Sequence, residues 1–427
     1  MRIVLVHDYL NQRGGAERVV GAMHRIFIDA EIYTLFVDHE KLWDSLKDAT
    51  IVPSLLQKVP FIRNHFKLFF WLYPLAIKTL RIPDCEVVVT SSSAYAKGIR
   101  TKVRDGHRPV HICYCHNPMR FAWDFDRYIK NETTNKWAAW LARAFVPFLQ
   151  RWDMKTARGV DVFIANSTAV QERIARIYGR HAEVIFPPVD MSPVGVPQID
   201  VSPISAPPTH TPSCDVPQMG VAEAEPRPVV MGIADAEPRP VGQDSYYLVV
   251  SRLVSYKRID LAVRACTRLQ KRLVVIGTGP DRDRLEAMAG RTVEFLGWQP
   301  DDVVRRYMRE CLALIFPGEE DFGITPVEVA SQGRPVVAYR GGGALDTVVE
   351  GINGVFFNRP TVQSLKEALE RMDRLNWDEG EIRRIAQRFD HCRFDKEFTT
   401  LIHRVEANAH ALPAVIEQAE ALGGFGR

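Results

Sequence analysis

The chain has 427 residues, of which 46% are hydrophobic and 25% are charged, so it has ample apolar material for folded cores, and its length predicts two or three domains. A total of 55 Lys and Arg residues against 52 Asp and Glu residues leaves a net charge of only +3. This balance lacks the basicity of proteins that bind a nucleic-acid backbone, and we expect no nucleic-acid partner.

The first apolar run, residues 3–6, ends at His7 and Asp8. Four apolar residues are too few for the apolar region of a signal peptide, so the run predicts a buried strand in a cytoplasmic protein. A glycine pair, Gly14 and Gly15, follows and leads into a predicted helix. Backbone amides of such a turn can approach a phosphate closely, although a glycine pair before a helix is often only a turn. The pair lacks the Gly-x-Gly-x-x-Gly spacing of nicotinamide-cofactor sites.

Residues 51–83 contain no Asp or Glu, and basic residues flank the run Phe66-Lys-Leu-Phe-Phe-Trp-Leu-Tyr73. Basic and aromatic residues together suit an anionic membrane surface. The alternative is a core helix with solvated Lys and Arg side chains, which Pro74 would interrupt. No stretch approaches the roughly 18 apolar residues of a membrane span. We therefore expect a cytoplasmic chain, with peripheral attachment to the inner face of the membrane left open.

Residues 191–244 are dominated by Pro, Val, Ser and acidic residues, and Ala-Glu-Pro-Arg-Pro-Val occurs twice, at 224–229 and 236–241. Such a segment cannot form a core, so we expect a mostly disordered linker. A proline-rich docking peptide is the alternative. The linker divides the chain into a first domain, 1–190, a second domain, 245–390, and a closing segment, 391–427.

Both domains alternate short apolar runs with longer amphipathic stretches, which is the pattern of parallel sheets with crossover helices. We predict strands at 3–6, 87–89, 111–115, 162–165 and 184–186 in the first domain, and at 247–250, 273–276, 293–296, 313–316 and 335–338 in the second. The predicted fold class is α/β, with two doubly wound, Rossmann-like domains facing a cleft. Ligands of such sheets bind at the carboxyl ends of the strands.

Two basic residues, Arg252 and Lys257, follow the first predicted strand of the second domain. Together they can clamp an anionic diphosphate, with a guanidinium fork and a point charge. Surface charge before a helix is the alternative when this segment is considered alone.

Two carboxylates, Glu320 and Glu328, stand eight residues apart around a predicted helix start. Thr325 and Glu328 fit a capping box, which is a structural explanation for Glu328. It leaves Glu320 and Gly323 unexplained. Free amides of residues 323–325 can bond sugar hydroxyls or phosphate, and the carboxylates can accept hydroxyl protons from sugar and ribose.

The sequence resembles the retaining glycosyltransferases of family 4, which have the GT-B fold. Five motifs carry the resemblance in the family's order, and they span both domains: Gly14-Gly15-Ala-Glu, the Arg252 and Lys257 pair, Ile276-Gly277-Thr-Gly279-Pro280, Phe295-Leu-Gly297-Trp298, and the Glu320 and Glu328 pair. The combination is far more specific than any single motif.

The resemblance implies roles for these residues. Arg252 and Lys257 would hold the donor diphosphate, which Gly14 and Gly15 approach from the first domain. The remaining implied roles are as follows: Glu328, Gly323, Ile324 and Thr325 for the ribose and sugar, Glu320 for the hydroxyls of the transferred sugar, His116 beside the donor sugar, and Gly277 and Trp298 in the base pocket. For His116, a satisfied histidine at a strand end is the structural alternative.

The resemblance implies transfer of a hexose from a nucleotide sugar, with retention through front-face attack by the acceptor. Similarity of the segments Val6-His-Asp-Tyr-Leu and His116-Asn-Pro-Met-Arg-Phe-Ala-Trp-Asp124 to mannosyltransferase-like members favours GDP-mannose as donor. The expected acceptor is a lipid-linked oligosaccharide in surface polysaccharide biosynthesis. UDP-glucose and UDP-galactose remain open as donors. A nucleotide-sugar epimerase and a non-catalytic sugar-nucleotide-binding subunit are the alternatives from other classes.

We expect neither a metal nor another cofactor. The seven cysteines are scattered without a Cys-x-x-Cys, which argues against a zinc site. Stabilising the negative charge of the leaving diphosphate is the main demand of the reaction, and Arg252, Lys257 and a helix start can meet it.

Overall fold

The structure is a computed structural model, and it describes residues 1–62, 66–101, 108–125, 136–191 and 245–422. Apart from Met191, the predicted linker 191–244 lies outside the described residues. Part of the basic aromatic segment, residues 63–65, also lies outside them.

The first domain is built on a parallel sheet with the strand order β3-β2-β1-β4-β5-β6-β7 among the described residues. Its strands are β1 (Ile3–His7), β2 (Ile32–Thr34), β3 (Ile51–Pro53), β4 (Val87–Ser92), β5 (Val110–Cys115), β6 (Val162–Ala165) and β7 (Ala182–Val184). Every residue of β1 and β4 is buried, as expected for central strands covered on both faces. The helices are α1 (Gly15–Ile26), α2 (Tyr73–Ala76), α3 (Arg120–Trp123), α4 (Lys136–Ala157) and α5 (Thr168–Tyr178).

The second domain has a parallel sheet with the order β10-β9-β8-β11-β12-β13. Its strands are β8 (Tyr247–Val250), β9 (Leu273–Ile276), β10 (Val293–Gly297), β11 (Ala313–Phe316), β12 (Val336–Tyr339) and β13 (Gly354–Phe357). Its helices, with the closing helix last, are α6 (Ile259–Leu269), α7 (Arg282–Ala287), α8 (Asp301–Glu310), α9 (Ile324–Ser331), α10 (Ala344–Thr347), α11 (Val362–Arg374), α12 (Glu379–Ala386) and α13 (His391–Leu422). Short 3₁₀ helices include Ala96–Gly98 after β4 and Ser255–Lys257 after β8.

The predicted fold class is confirmed, since both domains are α/β with parallel, doubly wound sheets. Three strands were missed, namely β2, β3 and β13. The first two have only three residues each, too few to show a pattern in the sequence. The last strand of the first domain, predicted at 184–186, lies instead at Ala182–Val184.

Helix ends follow local rules in several places. Ser167 caps α5 by accepting a hydrogen bond from the amide of Val170, and Gly179 ends that helix with a φ of 63°. Asp346 of the second domain also binds the start of α5, because its carboxylate accepts from the amide of Thr168 at 2.9 Å and from its hydroxyl at 2.7 Å. A side chain of one domain thus completes a helix of the other.

The closing helix α13 returns to the first domain. Phe394, Phe398 and Ile402 are fully buried and belong to the same core cluster as Leu5 and Ile112. Between the domains, the rings of Phe186, Phe322 and Phe389 pack within 5.2–5.8 Å of one another. These contacts fix the two sheets relative to each other, with the carboxyl ends of their strands at the cleft.

No helix among the described residues combines the length and the apolar character that crossing a bilayer requires.

Candidate active site

The loop after β8 carries the two predicted diphosphate ligands. Arg252 is exposed at the strand end, and Lys257 closes the 3₁₀ helix that follows. The Lys257 ammonium forms an ion pair with Glu320, which lies in the loop after β11. Gly318 makes this approach possible, because a side chain there would lie 2.8 Å from the backbone of Lys257. The structure therefore brings one predicted phosphate ligand and one predicted sugar ligand into direct contact.

The loops after β9 and β10 lie beside this region. The amide of Gly277 donates a hydrogen bond to the carbonyl of Gly297 at 2.7 Å. The next residue in the chain, Trp298, is 72% exposed. Gly277 has a φ of 129°, and a Cβ atom there would lie 2.0 Å from the carbonyl oxygen of Ser251. Only glycine fits this crossing of two loops, which places the predicted base-pocket residues next to the strand that precedes Arg252.

Helix α9 begins differently from the sequence prediction. Gly323, at a φ of 83°, is the capping residue, and no side chain caps the helix. The predicted capping box of Thr325 and Glu328 is therefore wrong, because the helix begins two residues earlier than a Thr325 cap requires. Helix capping therefore does not explain why Glu328 stands at this position. Ile324 and Thr325 occupy the first turn, where backbone amides have no partner within the helix.

Glu328 instead faces the first domain. Its Oε1 atom accepts a hydrogen bond from Arg18 Nη1 at 2.6 Å, and the guanidinium of Arg18 lies 4.7 Å from the ring centre of Trp43. Burial lowers the pKa of Arg18, but attraction to Glu328 and the hydrogen bond outweigh it, so the net pKa is raised. The predicted ribose ligand is thus held by an ion pair that crosses the cleft.

A second set of ion pairs crosses the cleft at Asp321, next to Glu320. Arg120 and Arg173 of the first domain both bind the carboxylate of Asp321. Arg173 also lies 3.7 Å from Glu319. Burial lowers the pKa of Arg120, and the charge of Asp321 reverses the effect, so the pKa of Arg120 is raised overall. The three consecutive acidic residues are therefore all paired, two with the first domain and one with Lys257.

The glycine pair of the first domain reaches the same place. Gly14 caps α1, and Gly15 begins it. A Cβ atom at Gly15 would lie 2.7 Å from the side chain of Ile324, at the start of α9. The starts of α1 and α9, one from each domain, therefore lie against each other. A side chain at position 15 would have to displace the terminal methyl group of Ile324.

His116 lies immediately after β5, at the carboxyl edge of the first sheet, and is 8% exposed. Its Nε2 atom lies 2.8 Å from the hydroxyl of Ser91. Burial, and then repulsion from His7, lowers the pKa of His116 to about 3, so the ring is neutral at physiological pH. The ring can exchange hydrogen bonds with a hydroxyl, but it supplies no positive charge.

The arginines that cross the cleft were missed as site residues. Arg18 directly follows the Gly14-Gly15-Ala-Glu motif and Arg120 stands inside the segment 116–124, but no role was assigned to either residue. Arg173, on α5, gave no signal at all, because it lies among other charged residues of an amphipathic helix. Within the described residues, no group of three or more His, Cys, Asp or Glu side chains is arranged to hold a metal ion.

Two protein-family models match the chain. The model described as Glycosyltransferase Family 4 matches residues 13–192, and the model described as Glycosyl transferases group 1 matches residues 233–384. The first match covers most of the first domain, and the second covers the sheet that carries Lys257, Glu320 and Glu328.

Among curated relatives, an uncharacterized glycosyltransferase of Methanocaldococcus jannaschii is 29% identical over 133 residues, which are 30% of this chain and 38% of that protein. The alpha-1,3/1,6-mannosyltransferase ALG2 of Dictyostelium discoideum is 35% identical over 101 residues, which are 22% of this chain and 24% of that protein. The chain thus spans between about a quarter and two fifths of the length of these relatives.

Solved structures match over nearly the whole chain. The Anabaena protein HepE in complex with UDP has a TM-score of 0.61 at 16% identity, with 95% of this chain and 100% of that chain covered. The apo form of the lipopolysaccharide outer core galactosyltransferase WaaB has a TM-score of 0.60 at 18% identity, with 95% and 99% covered. At these identities the likeness shows the fold, and the expected GT-B architecture is confirmed.

Proposed function

We propose that this chain, which has the two domains of a family 4-type glycosyltransferase with the GT-B fold, transfers a hexose from a nucleotide sugar to a lipid-linked oligosaccharide in surface polysaccharide biosynthesis. One observation carries the proposal. The Lys257–Glu320 pair and the Arg18–Glu328 pair lie on either side of the start of α9, where the two domains meet. Cations, carboxylates and free helix amides at one edge suit a ligand that combines a diphosphate with sugar hydroxyls.

The donor contacts follow from this arrangement. Arg252 and Lys257 hold the diphosphate, and the amides of Gly14 and Gly15 approach it from the first domain. Glu328 accepts from the ribose hydroxyls, with Arg18 holding its other hydrogen-bonding sites. Glu320 accepts from hydroxyls of the transferred sugar, beside the amides of residues 323–325. Gly277 and Trp298 line the base pocket.

The chemistry asked of these groups is mainly electrostatic. Cleavage of the bond between the anomeric carbon and the diphosphate develops negative charge on the leaving group, and a preorganised ammonium, guanidinium and helix start stabilise that charge. We propose that no divalent ion takes part. We also propose retention through front-face attack, with His116 beside the reacting sugar as a neutral hydrogen-bonding ring.

The proposed donor is GDP-mannose. The match to a mannosyltransferase over 101 residues supports this choice. UDP-glucose or UDP-galactose is the second candidate, which the structural neighbour solved with UDP favours. The decisive test is a panel of nucleotide sugars with purified protein, scored by the rise in melting temperature and by slow release of a nucleoside diphosphate. A response to GDP-mannose alone supports the proposal, a response to a UDP-sugar corrects the donor, and no response to any overturns the function.

The same experiment in EDTA tests the metal-free chemistry. Turnover that survives a large excess of EDTA supports it. Turnover that disappears with EDTA and returns with added Mg²⁺ or Mn²⁺ contradicts it.

The lipid-linked acceptor suggests a membrane-facing surface, and we place it on the basic aromatic segment 51–83. Most of its apolar residues, such as Tyr73 and Ile77, belong to the core. Among the described side chains of the segment, four large apolar ones are exposed: the exposed fractions of Leu55, Phe61, Trp71 and Leu75 are 65%, 74%, 53% and 65%. Exposed apolar side chains next to basic ones suit anionic headgroups. We propose peripheral attachment to the inner face of the cytoplasmic membrane.

Co-sedimentation with phosphatidylglycerol vesicles tests this surface. Replacing Lys58 and Lys78 by Glu should release the protein from the vesicles, and added salt should weaken the binding of the wild type. The matched control replaces Lys366, on α11, and Lys396, on α13, by Glu. Equal retention of both variants would contradict the proposed surface.

A further inference from the structure

Three side chains form a hydrogen-bonded row at the carboxyl ends of β1, β4 and β5. His7 Nδ1 lies 3.1 Å from both the carbonyl oxygen and the hydroxyl of Ser91, and that hydroxyl lies 2.8 Å from His116 Nε2. A carbonyl oxygen only accepts hydrogen bonds, so His7 Nδ1 carries a proton and donates it.

The other nitrogen of His7 faces a carboxylate. His7 Nε2 lies 4.0 Å from Glu17 Oε1, and both side chains are only 3% exposed. This separation is too long for a direct hydrogen bond between the imidazole nitrogen and the carboxylate oxygen. One oxygen atom about 2.8 Å from each group can contact both. The separation therefore allows one hydroxyl oxygen to contact both the imidazole and the carboxylate.

The second carboxylate oxygen points to the same conclusion. Glu17 Oε2 is buried and has no hydrogen-bond partner among the described residues, while Oε1 accepts only from Gln12 Nε2, at 3.2 Å. The side-chain oxygen of Asn11, a residue that is 6% exposed, is likewise buried without a partner. Buried acceptors without donors are costly, and proteins retain them mainly where a ligand or water supplies the proton.

We propose that Glu17 and His7 form a binding site for a saccharide hydroxyl on the first domain. The proposal rests on the proposed function, because the hydroxyl belongs to the donor sugar or to the acceptor. Glu17 lies in the first turn of α1, two residues after Gly15, whose Cα lies against the side chain of Ile324 at the start of α9. A phosphate would be repelled by this carboxylate. The partner is a neutral hydroxyl, which donates a hydrogen bond to the Glu17 carboxylate.

The test compares Glu17→Gln with wild type in three measurements: affinity for GDP and UDP alone, affinity for the nucleotide sugar that the wild type hydrolyses, and transfer to octyl glycosides as hydroxyl-bearing acceptors. If the donor sugar supplies the hydroxyl, the variant should lose about tenfold or more in nucleotide-sugar affinity and none for the nucleoside diphosphate. If the acceptor supplies it, both affinities should stay, and KM for the octyl glycoside should rise by a similar factor.

Thermal melting separates this role from a structural one. Removing a buried, poorly compensated charge should leave the melting temperature of Glu17→Gln equal to or above that of the wild type, whereas loss of a structural ion pair would lower it. Glu31→Gln, at the opposite end of the sheet, is the matched control. His7→Gln should reproduce the loss seen with Glu17→Gln.

Failure of the hydroxyl site and failure of the proposed function give different results. Wild-type values for Glu17→Gln in all three measurements overturn the hydroxyl site and leave the proposed function standing. A wild type that binds no nucleotide sugar overturns the proposed function, and the hydroxyl site with it.

Discussion

Arg18 and Glu328 are 310 residues apart in the chain, and they meet across the cleft with 2.6 Å between Nη1 and Oε1. The pair joins the first helix of the first domain to the helix that carries the proposed ribose ligand. The exposed fractions of the two side chains are 33% and 22%, so water partly screens the attraction. Its effect lies mainly in orientation, because it fixes the Glu328 carboxylate relative to the start of α9.

A double-mutant cycle measures this orientation. Arg18→Ala should weaken nucleoside diphosphate affinity severalfold, and Glu328→Gln should weaken it by about tenfold, since it removes the charge that accepts the ribose hydroxyls. The two changes should be non-additive by about 0.5–3 kcal/mol, as for other groups in direct contact. Titration calorimetry with GDP and UDP provides the values. Strict additivity would contradict the argument that Arg18 acts through Glu328.

Lys257, which pairs with Glu320, is one of the two cations proposed to hold the leaving diphosphate. Lys257→Ala should reduce turnover by about a hundredfold or more, because charge stabilisation at the departing diphosphate is lost. Release of the nucleoside diphosphate at saturating nucleotide sugar measures this. Lys396→Ala, on the exposed side of α13, is the control and should turn over like the wild type. A Lys257→Ala rate within threefold of the wild-type rate would contradict the assignment.

Asp321 pairs with both Arg120 and Arg173, and through them it ties the loop of Glu320 to the first domain. Asp321→Asn leaves two arginines facing a neutral amide, and we expect a loss of about 1–3 kcal/mol in the free energy of unfolding, reduced by their partial exposure. Urea denaturation measures the loss. Glu370→Gln, exposed on α11, should change little. Equal midpoints for both variants would show that the pairs add nothing to stability.

Acid should begin to destabilise the fold in the pH range where unfolded histidines titrate. Burial lowers the pKa of His116 to about 3 and that of His111 to about 4, both below the ordinary value of about 6.5. The unfolded chain therefore binds these protons first. The stability that depends on the neutral rings is complete above about pH 6.5 and is lost as the pH falls toward 3.

Urea unfolding at pH 7, 6 and 5 tests this sign. The free energy of unfolding should decrease as the pH is lowered. Its slope should approach about 1.4 kcal/mol per pH unit for each such histidine. His116→Asn and His111→Gln should each flatten the dependence, whatever they do to stability at pH 7. Slopes equal to that of the wild type would show that the rings do not resist protonation.

Much of the fold was accessible from the sequence because long apolar runs make buried parallel strands. Runs such as Leu273–Ile276 and Ala313–Phe316 lie where they were predicted. The strands Ile32–Thr34 and Ile51–Pro53 were not accessible, since three residues are too few to carry a periodicity of their own.

The same limit applies to the site. The spacing of Glu320 and Glu328 marks them locally, and so does the pairing of Arg252 with Lys257. The arginines of the first domain that pair with this region reach it only because of how the two domains meet. Arg173 reaches Asp321 from 148 residues away, and no local pattern on an amphipathic helix distinguishes that arginine from its solvated neighbours. The start of α9 was misplaced for a related reason, because a glycine with positive φ replaces the side-chain cap.

The closing helix gives the chain an order of events during synthesis. Phe394, Phe398 and Ile402 complete the core that contains Leu5 and Ile112, yet the ribosome makes them after the whole second domain. The core of the first domain is therefore incomplete, with part of its apolar surface uncovered, until residues 245–390 have been synthesised and the closing helix has followed them. During that interval it is a natural client for chaperones, and a message truncated before residue 394 would yield a polypeptide whose first domain stays open to aggregation.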